Sequence, residues 1–119
     1  KLKFFVSLWC SPFATSLVRS KYVSVGECSP DSMDIDPGGK VLLCDTLDFV
    51  VADTRKDGLI EAWGKSREDK LARELEDTSK LQGACQNCKY RESCKGGCRA
   101  RSYLLNGSFF MPDPYCPFA

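Results

Sequence analysis

Alternation of apolar and polar positions is weak at the start of the chain and clearer by its middle. Phe4, Val6 and Leu8 fall on every second position and predict a short strand, which Ser11-Pro12 ends. Residues 21–27 (KYVSVGE) set Tyr22, Val23 and Val25 in a second β-prone run. Met33 and Ile35 then alternate with Asp34 and Asp36, and Val41 and Leu43 alternate toward Cys44. Between them Asp36-Pro37-Gly38-Gly39 has the residue chemistry of a turn. A β-hairpin is therefore predicted, one that brings Cys28 and Cys44 toward one side.

Further along, the apolar spacing becomes helical. Residues 58–64 (GLIEAWG) predict a short helix with Leu59, Ile60 and Trp63 on one face. Residues 67–77 predict a longer one, capped by Ser66 with Asp69 three residues on. Its expected ion pairs are Asp69–Arg73 and Lys70–Glu74, its buried stripe Leu71 and Leu75, and its charges a solvated face. Residues 83–98 read mostly as loop, and 98–105 as a helix ended by Asn106-Gly107. Pro112, Pro114 and Pro117 stiffen an extended tail, where Phe109, Phe110, Tyr115 and Phe118 form an apolar jacket around Cys116. There is no internal repeat and no phosphate-cradling glycine loop.

Composition narrows the chemistry. A length of 119 residues fits one domain. Lys plus Arg number 17 against 16 Asp plus Glu, a net charge of +1. That balance argues against a dedicated nucleic-acid or membrane-surface binder, and a zinc knuckle stacking bases on Tyr90 and Tyr103 is disfavoured for the same reason. The longest apolar run, Phe4 to Cys10, is interrupted by Ser7 and falls short of the roughly 20 residues of a membrane helix. Histidine is absent. A Ser-His-Asp triad, an HExxH protease, a Cys2His2 finger and a Rieske centre are thereby excluded.

Eight cysteines remain to carry the chemistry. They could be disulfide partners or metal ligands, and spacing favours ligands. Cys10, Cys28 and Cys44 are followed by Cys85-x2-Cys88-x5-Cys94-x3-Cys98 and finally Cys116. A Cys-x2-Cys turn lets two thiolates converge on one centre while backbone N–H groups point at the sulfurs. Lys89, Arg91, Lys95, Arg99 and Arg101 lie in the same stretch against Glu92 alone, a cationic excess that favours deprotonated thiols. Gly96-Gly97 removes side chains where backbone passes close to something bulky. Tetrahedral zinc in a structural protein-interaction module suits four such thiolates as well as an iron–sulfur cluster does. Asp34, Asp36, Asp45 and Asp113 lie near the cysteines and read as turn and cap carboxylates, so no catalytic residue is assigned.

Cys28-x10-Gly39-x4-Cys44, then Cys85-x2-Cys88-x5-Cys94-x3-Cys98, then Cys116, resembles the seven-cysteine signature of the SPASM domain, a C-terminal extension of radical S-adenosylmethionine (radical SAM) enzymes. Gly58-Leu59-Ile60-Glu61-Ala62-Trp63, Cys94-Lys95-Gly96-Gly97-Cys98-Arg99-Ala100-Arg101 and Pro112-Asp113-Pro114-Tyr115-Cys116 also resemble it. The resemblance covers residues 21–119 and leaves 1–20 as an entry segment from a preceding radical SAM domain. It implies a small α+β fold, a β-hairpin followed by short helices and cysteine-rich loops organised around two metal clusters. Two [4Fe–4S] clusters are implied: Cys85, Cys88, Cys94 and Cys116 would hold one, and Cys28, Cys44 and Cys98 the other. Fully ligated members carry an eighth cysteine a few residues before the position of Cys28, where Arg19 to Glu27 hold none here. Cys10 is either a looped-back fourth ligand or a buried bystander thiol, and both readings stay open.

The Cys-x3-Cys-x2-Cys triplet that binds the radical SAM cluster is absent, and residue 1 is Lys. The chain is therefore expected to be the cluster-bearing part of a larger cytoplasmic radical SAM oxidoreductase or maturase. S-adenosylmethionine would bind only in the parent enzyme. The implied partners are the radical SAM core domain and a peptide, protein or cofactor-precursor substrate, with neither nucleic acid nor membrane.

Overall fold

The computed structural model describes residues 3–28 and 31–119. Lys1 and Leu2, at the head of the expected entry segment, lie outside the described residues. Two compact units divide the chain, residues 29–76 in one and residues 1–28 with 77–119 in the other. The fold class is small α+β, as expected.

In the unit that holds both termini, β1 (Val6–Leu8) and β2 (Val23–Val25) pair in parallel, Val6 against Val23 and Leu8 against Val25. Parallel strands need a crossover. A 3-10 turn at Pro12–Ser16 lies in it, with proline in the first turn, and buries Pro12 and Ala14.

Residues 29–76 build an antiparallel sheet in the order β3 (Asp34–Ile35), β4 (Lys40–Cys44) and β5 (Leu47–Asp53). The predicted hairpin is present, with Ile35 opposite Val41. Gly39 sits at φ +83, where a Cβ would stand 2.8 Å from Arg55 Cγ and 3.1 Å from Thr54 Oγ1. Its carbonyl accepts from the Thr54 amide at 2.8 Å and the Thr54 hydroxyl at 2.9 Å. Glycine is required there by conformation and by close approach together. β5 had no counterpart in the sequence expectation. Its two aspartates break the apolar alternation, and pairing with β4 makes it a strand. Val41, Ala52 and Ala62 form the core of this unit, with Met33 and Val51 packed against it.

The helices follow in a different division from the one predicted. After α1 (Thr54–Asp57), α2 runs Leu59–Glu68, through Gly64 and Ser66, and α3 runs Lys70–Glu76. Ser66 is not a cap; its hydroxyl donates to the Trp63 carbonyl at 2.8 Å. Asp69 is the cap instead, accepting from the amides of Leu71 and Ala72 at 2.9 and 3.0 Å. The buried faces differ too. Ala62 and Ala72 are buried, whereas Leu59 and Ile60 are exposed and Leu71 and Leu75 are half-buried. Asp69→Ala is expected to lower the urea midpoint of unfolding by the equivalent of about 1 kcal/mol, the usual worth of an N-cap. Ser66→Ala should change it far less.

The remaining residues, 77–119, return to the first unit. The stretch read as loop is a string of tight turns. Cys85 N bonds to Gln82 O, Cys88 N to Cys85 O, and Arg91 N to Cys88 O, before the short α4 (Arg91–Cys94). Local spacing of three residues satisfies the backbone without a sheet or long helix. α5 (Arg99–Asn106) matches the expected helix and ends at Gly107, φ +72, in a left-handed cap. Ser102, fully buried on α5, holds the tail: its Oγ lies 2.8 Å from Ser108 O and 2.7 Å from Met111 O. No helix among the described residues is long and apolar enough to cross a membrane.

Candidate metal centre

All eight cysteines fall among the described residues, and no disulfide joins any two of them. In the unit that holds both termini seven of them gather into two groups. Cys85, Cys88 and Cys116 line a shallow cleft together with Pro112 and Phe118. Cys94, buried at the end of α4, lies within electrostatic reach of Cys85 and Cys116. Burial pushes its thiol up to about 11; the nearby backbone amides of Gly97 and Gly96 pull the other way. Burial also raises Cys85, and the charges of Cys116 and Cys88 raise it further.

The second group is built around Cys28. Its thiol is raised by burial, while the Arg99 amide donates to the sulfur and the charges of Cys98 and Cys10 act on it. Cys98 is the N-cap of α5, and its sulfur accepts from the Arg101 amide at 3.4 Å. Cys10 is exposed and adopts φ +55, with its carbonyl accepting from Arg101 Nη2 at 3.0 Å. Cys10 is thus exposed rather than buried, which leaves its role as ligand or bystander where the sequence put it. It follows β1 at the surface, within electrostatic reach of Cys28.

Cys44 belongs to the other unit and ends β4. Its thiol lies 3.5 Å from Asp45 Oδ1, and the amide and hydroxyl of Thr46 bond to its sulfur. Burial pushes it up to about 11. Asp34 and Asp36 act as turn carboxylates, accepting from the Asp45 amide at 3.0 Å and the Lys40 amide at 2.8 Å.

The hub of the terminal unit is Asp113. It is fully buried, and Arg101 forks onto both of its oxygens, Nε to Oδ1 at 2.7 Å and Nη2 to Oδ2 at 2.6 Å. The same carboxylate accepts from the Cys98 amide at 2.9 Å and the Tyr115 amide at 3.0 Å, and its carbonyl accepts from the Cys116 amide. One residue therefore positions a cysteine from each group, Cys98 through its carboxylate and Cys116 through its backbone carbonyl. Burial alone would raise its carboxyl, but Arg101 and the two amides outweigh burial and hold it below the ordinary carboxylate range. Proximity in sequence marked Asp113 only as a turn residue; its partner Arg101 was legible only as one of several cations.

Those cations separate in three dimensions. Lys95 pairs with Glu27 at 2.9 Å and Arg91 with Glu92 at 3.1 Å, and Lys89 lies over the Tyr90 ring. Arg99 instead lies buried within electrostatic reach of Cys28, Cys85 and Cys94. Arg101 lies within reach of Cys98, so compensation of sulfur charge falls to Arg99 and Arg101 rather than to the stretch as a whole. Of the expected apolar jacket, Phe109 is buried and stacked on Tyr103, and Phe118 is stacked on Tyr90 beside the cleft. Tyr115 is exposed and lies under Arg101.

This donor set suits iron–sulfur chemistry. The ligands available are soft sulfurs, several of them facing backbone N–H groups, and burial with mutual repulsion opposes their ionisation until a cationic centre stabilises them. A sequence model of the SPASM family, described as an iron–sulfur cluster-binding domain, matches residues 27–89, just over half of the chain. The chain belongs to the SPASM family of iron–sulfur cluster-binding domains. The SPASM match takes in Cys28, Cys44, Cys85 and Cys88, and the other motif cysteines follow it in the chain.

Known relatives agree with that membership. The chain is 31% identical over 80 residues to the AdoMet-dependent heme synthase of Oleidesulfovibrio alaskensis, covering 67% of this chain and 20% of the relative. It is 34% identical over 86 residues to the mycofactocin maturase MftC of Mycobacterium tuberculosis, covering 69% and 21%. The PqqA peptide cyclase of Bradyrhizobium diazoefficiens is 28% identical over 86 residues, covering 70% and 22%. The chain matches about a fifth of the length of these curated relatives.

Proposed function

We propose that this SPASM domain holds two [4Fe–4S] clusters and serves electron transfer and substrate positioning within a radical SAM enzyme that modifies a peptide or matures a cofactor. In this reading residues 21–119 form the cluster domain, and residues 1–20 lead in from a radical SAM core that supplies S-adenosylmethionine chemistry. The observation that carries it is the grouping of thiols around Asp113. Cys85, Cys88, Cys94 and Cys116 would ligate one cluster. Cys28 and Cys98 would ligate the other with Cys44, whose place in that set rests on the motif spacing. Relatives named as a heme synthase, a maturase and a peptide cyclase support the substrate classes. Oxygen-sensitive centres built on thiols accord with a reducing cytoplasm.

When bound, such clusters supply one-electron transfer at a potential set by burial, charge and N–H···S bonds. The chain's own residues do the rest. The amides of Arg99 and Arg101 orient sulfurs, those of Gly96 and Gly97 lie near another, Asp113 holds Cys98 and Cys116 in place, and Phe118 with Pro112 keeps an apolar wall beside Cys85 and Cys88. Among the described residues no three Cys, Asp or Glu side chains close on a point that one ion would occupy.

Anaerobic reconstitution of the full chain should yield a brown protein with about eight irons and eight sulfides per chain, as two cubanes require. Cys116→Ala should retain about half of that iron. A colourless, zinc-loaded product with well under eight irons would replace this reading by the structural zinc module.

A further inference from the structure

Arg99, the first residue of α5, is 2% exposed. Its two ends serve different sulfur groups. Its amide donates to the Cys28 sulfur. Its guanidinium rests on Gly96, where a Cβ would stand 2.7 Å from Nη1 and 3.0 Å from Cζ. Gly96 is itself one of the two residues whose amides lie near the Cys94 sulfur. The Phe109 carbonyl accepts from Nη1 at 3.0 Å and fixes the fork. Gly96 thus has two tasks: it admits the cation, and it places an N–H near a sulfur.

Burying a guanidinium is unfavourable unless anions offset it, and an apolar side chain of similar volume would fill the space at lower cost. Arg101 forks onto the buried Asp113 carboxylate. The sulfurs within electrostatic reach of Arg99 come from both groups, Cys28 from one and Cys85 and Cys94 from the other. Arginine keeps its charge throughout the working pH range, so its field does not change as electrons come and go.

We infer that Arg99 is a fixed cation shared by the two clusters, a positioning residue that holds both reduction potentials up together. This rests on the two-cluster reading above. Adding an electron to either cluster adds one negative charge near the same guanidinium. Each reduced state is therefore stabilised by one residue.

EPR-monitored redox titration of the reconstituted full chain tests this, with Arg99→Met, Arg99→Gln and Arg99→Lys beside the wild type. Both midpoint potentials should shift to more negative values in R99M and R99Q, while R99K keeps them near wild type. If the neutral variants instead shed iron from both sites while R99K stays loaded, the shared role is equally supported. A shift or iron loss confined to one cluster, unmoved potentials in R99M, or an R99K that falls as far as R99M would overturn it. A wild-type chain with a single cluster would overturn the two-cluster reading and this inference with it. A chain with two clusters and insensitive potentials sinks the inference alone.

Discussion

Asp113→Ala is expected to lower the unfolding free energy by about 3–5 kcal/mol, the range for stripping one partner from a buried ion pair. The loss leaves Arg101 without its carboxylate and takes the buried acceptor from the part-buried amides of Cys98 and Tyr115. Because those amides flank Cys98 and Cys116, iron retention should fall at both sites. Asp113→Asn keeps the shape and one acceptor, so its effect should be intermediate. Arg101→Met combined with Asp113→Ala should be less damaging than the sum of the two singles, since neither then leaves a buried charge behind. Urea midpoints and iron content read both effects. Strict additivity in that cycle would show that the pair does not hold the junction.

The same carboxylate sets an acid dependence. Its value is lowered in the folded chain, so the stability it contributes is fully present above the ordinary carboxylate value of 3.8 and fades as pH falls through its own lower value. The difference in stability between wild type and D113N should be constant near neutrality and shrink below about pH 4.

Gly97→Ala is the second large effect. Gly97 sits at φ +81, and a Cβ there would overlap Asp113 Cβ and stand 2.8 Å from Oδ2. Forcing alanine into the left-handed region costs about 1–2 kcal/mol, and overpacking a tight contact about 1–3 more. The neighbour cannot move aside, because four donors already hold the Asp113 carboxylate. The Gly97 amide, which donates to the Cys94 carbonyl at 3.1 Å, would also be displaced. Gly107→Ala is the matched control: its φ is +72 and nothing lies within 4 Å of an added Cβ. It should show the conformational cost alone. Equal urea midpoints for the two variants would mean that the Gly97–Asp113 contact carries no weight.

Local signals accounted for much of the fold. The hairpin turn at Asp36–Gly39 and the helix ending at Gly107 were readable because each depends on a few adjacent residues whose backbone preferences are strong. Where the reading slipped, a packing partner decided. Asp69 rather than Ser66 starts α3, because α2 continues through Gly64 along the sheet. Small Ala62, not Leu59 or Ile60, faces the core of its unit, because close approach there leaves no room for a larger side chain.

For the site the division is sharper. Cysteine spacing, zero histidine and the Gly39 register were enough to assign the family, since ligand identity and turn chemistry are written in local order. Which cations matter, and why Asp113 is there, depended on contacts between segments far apart in the chain. Arg99 and Lys95 look alike in a charge count, yet one is buried among sulfurs and the other pairs with Glu27 near the surface. Cys10 likewise gained a place beside Cys28 only when β1 folded against β2. Burial and long-range juxtaposition set the energy of a charge, and neither is a property of the residues next to it.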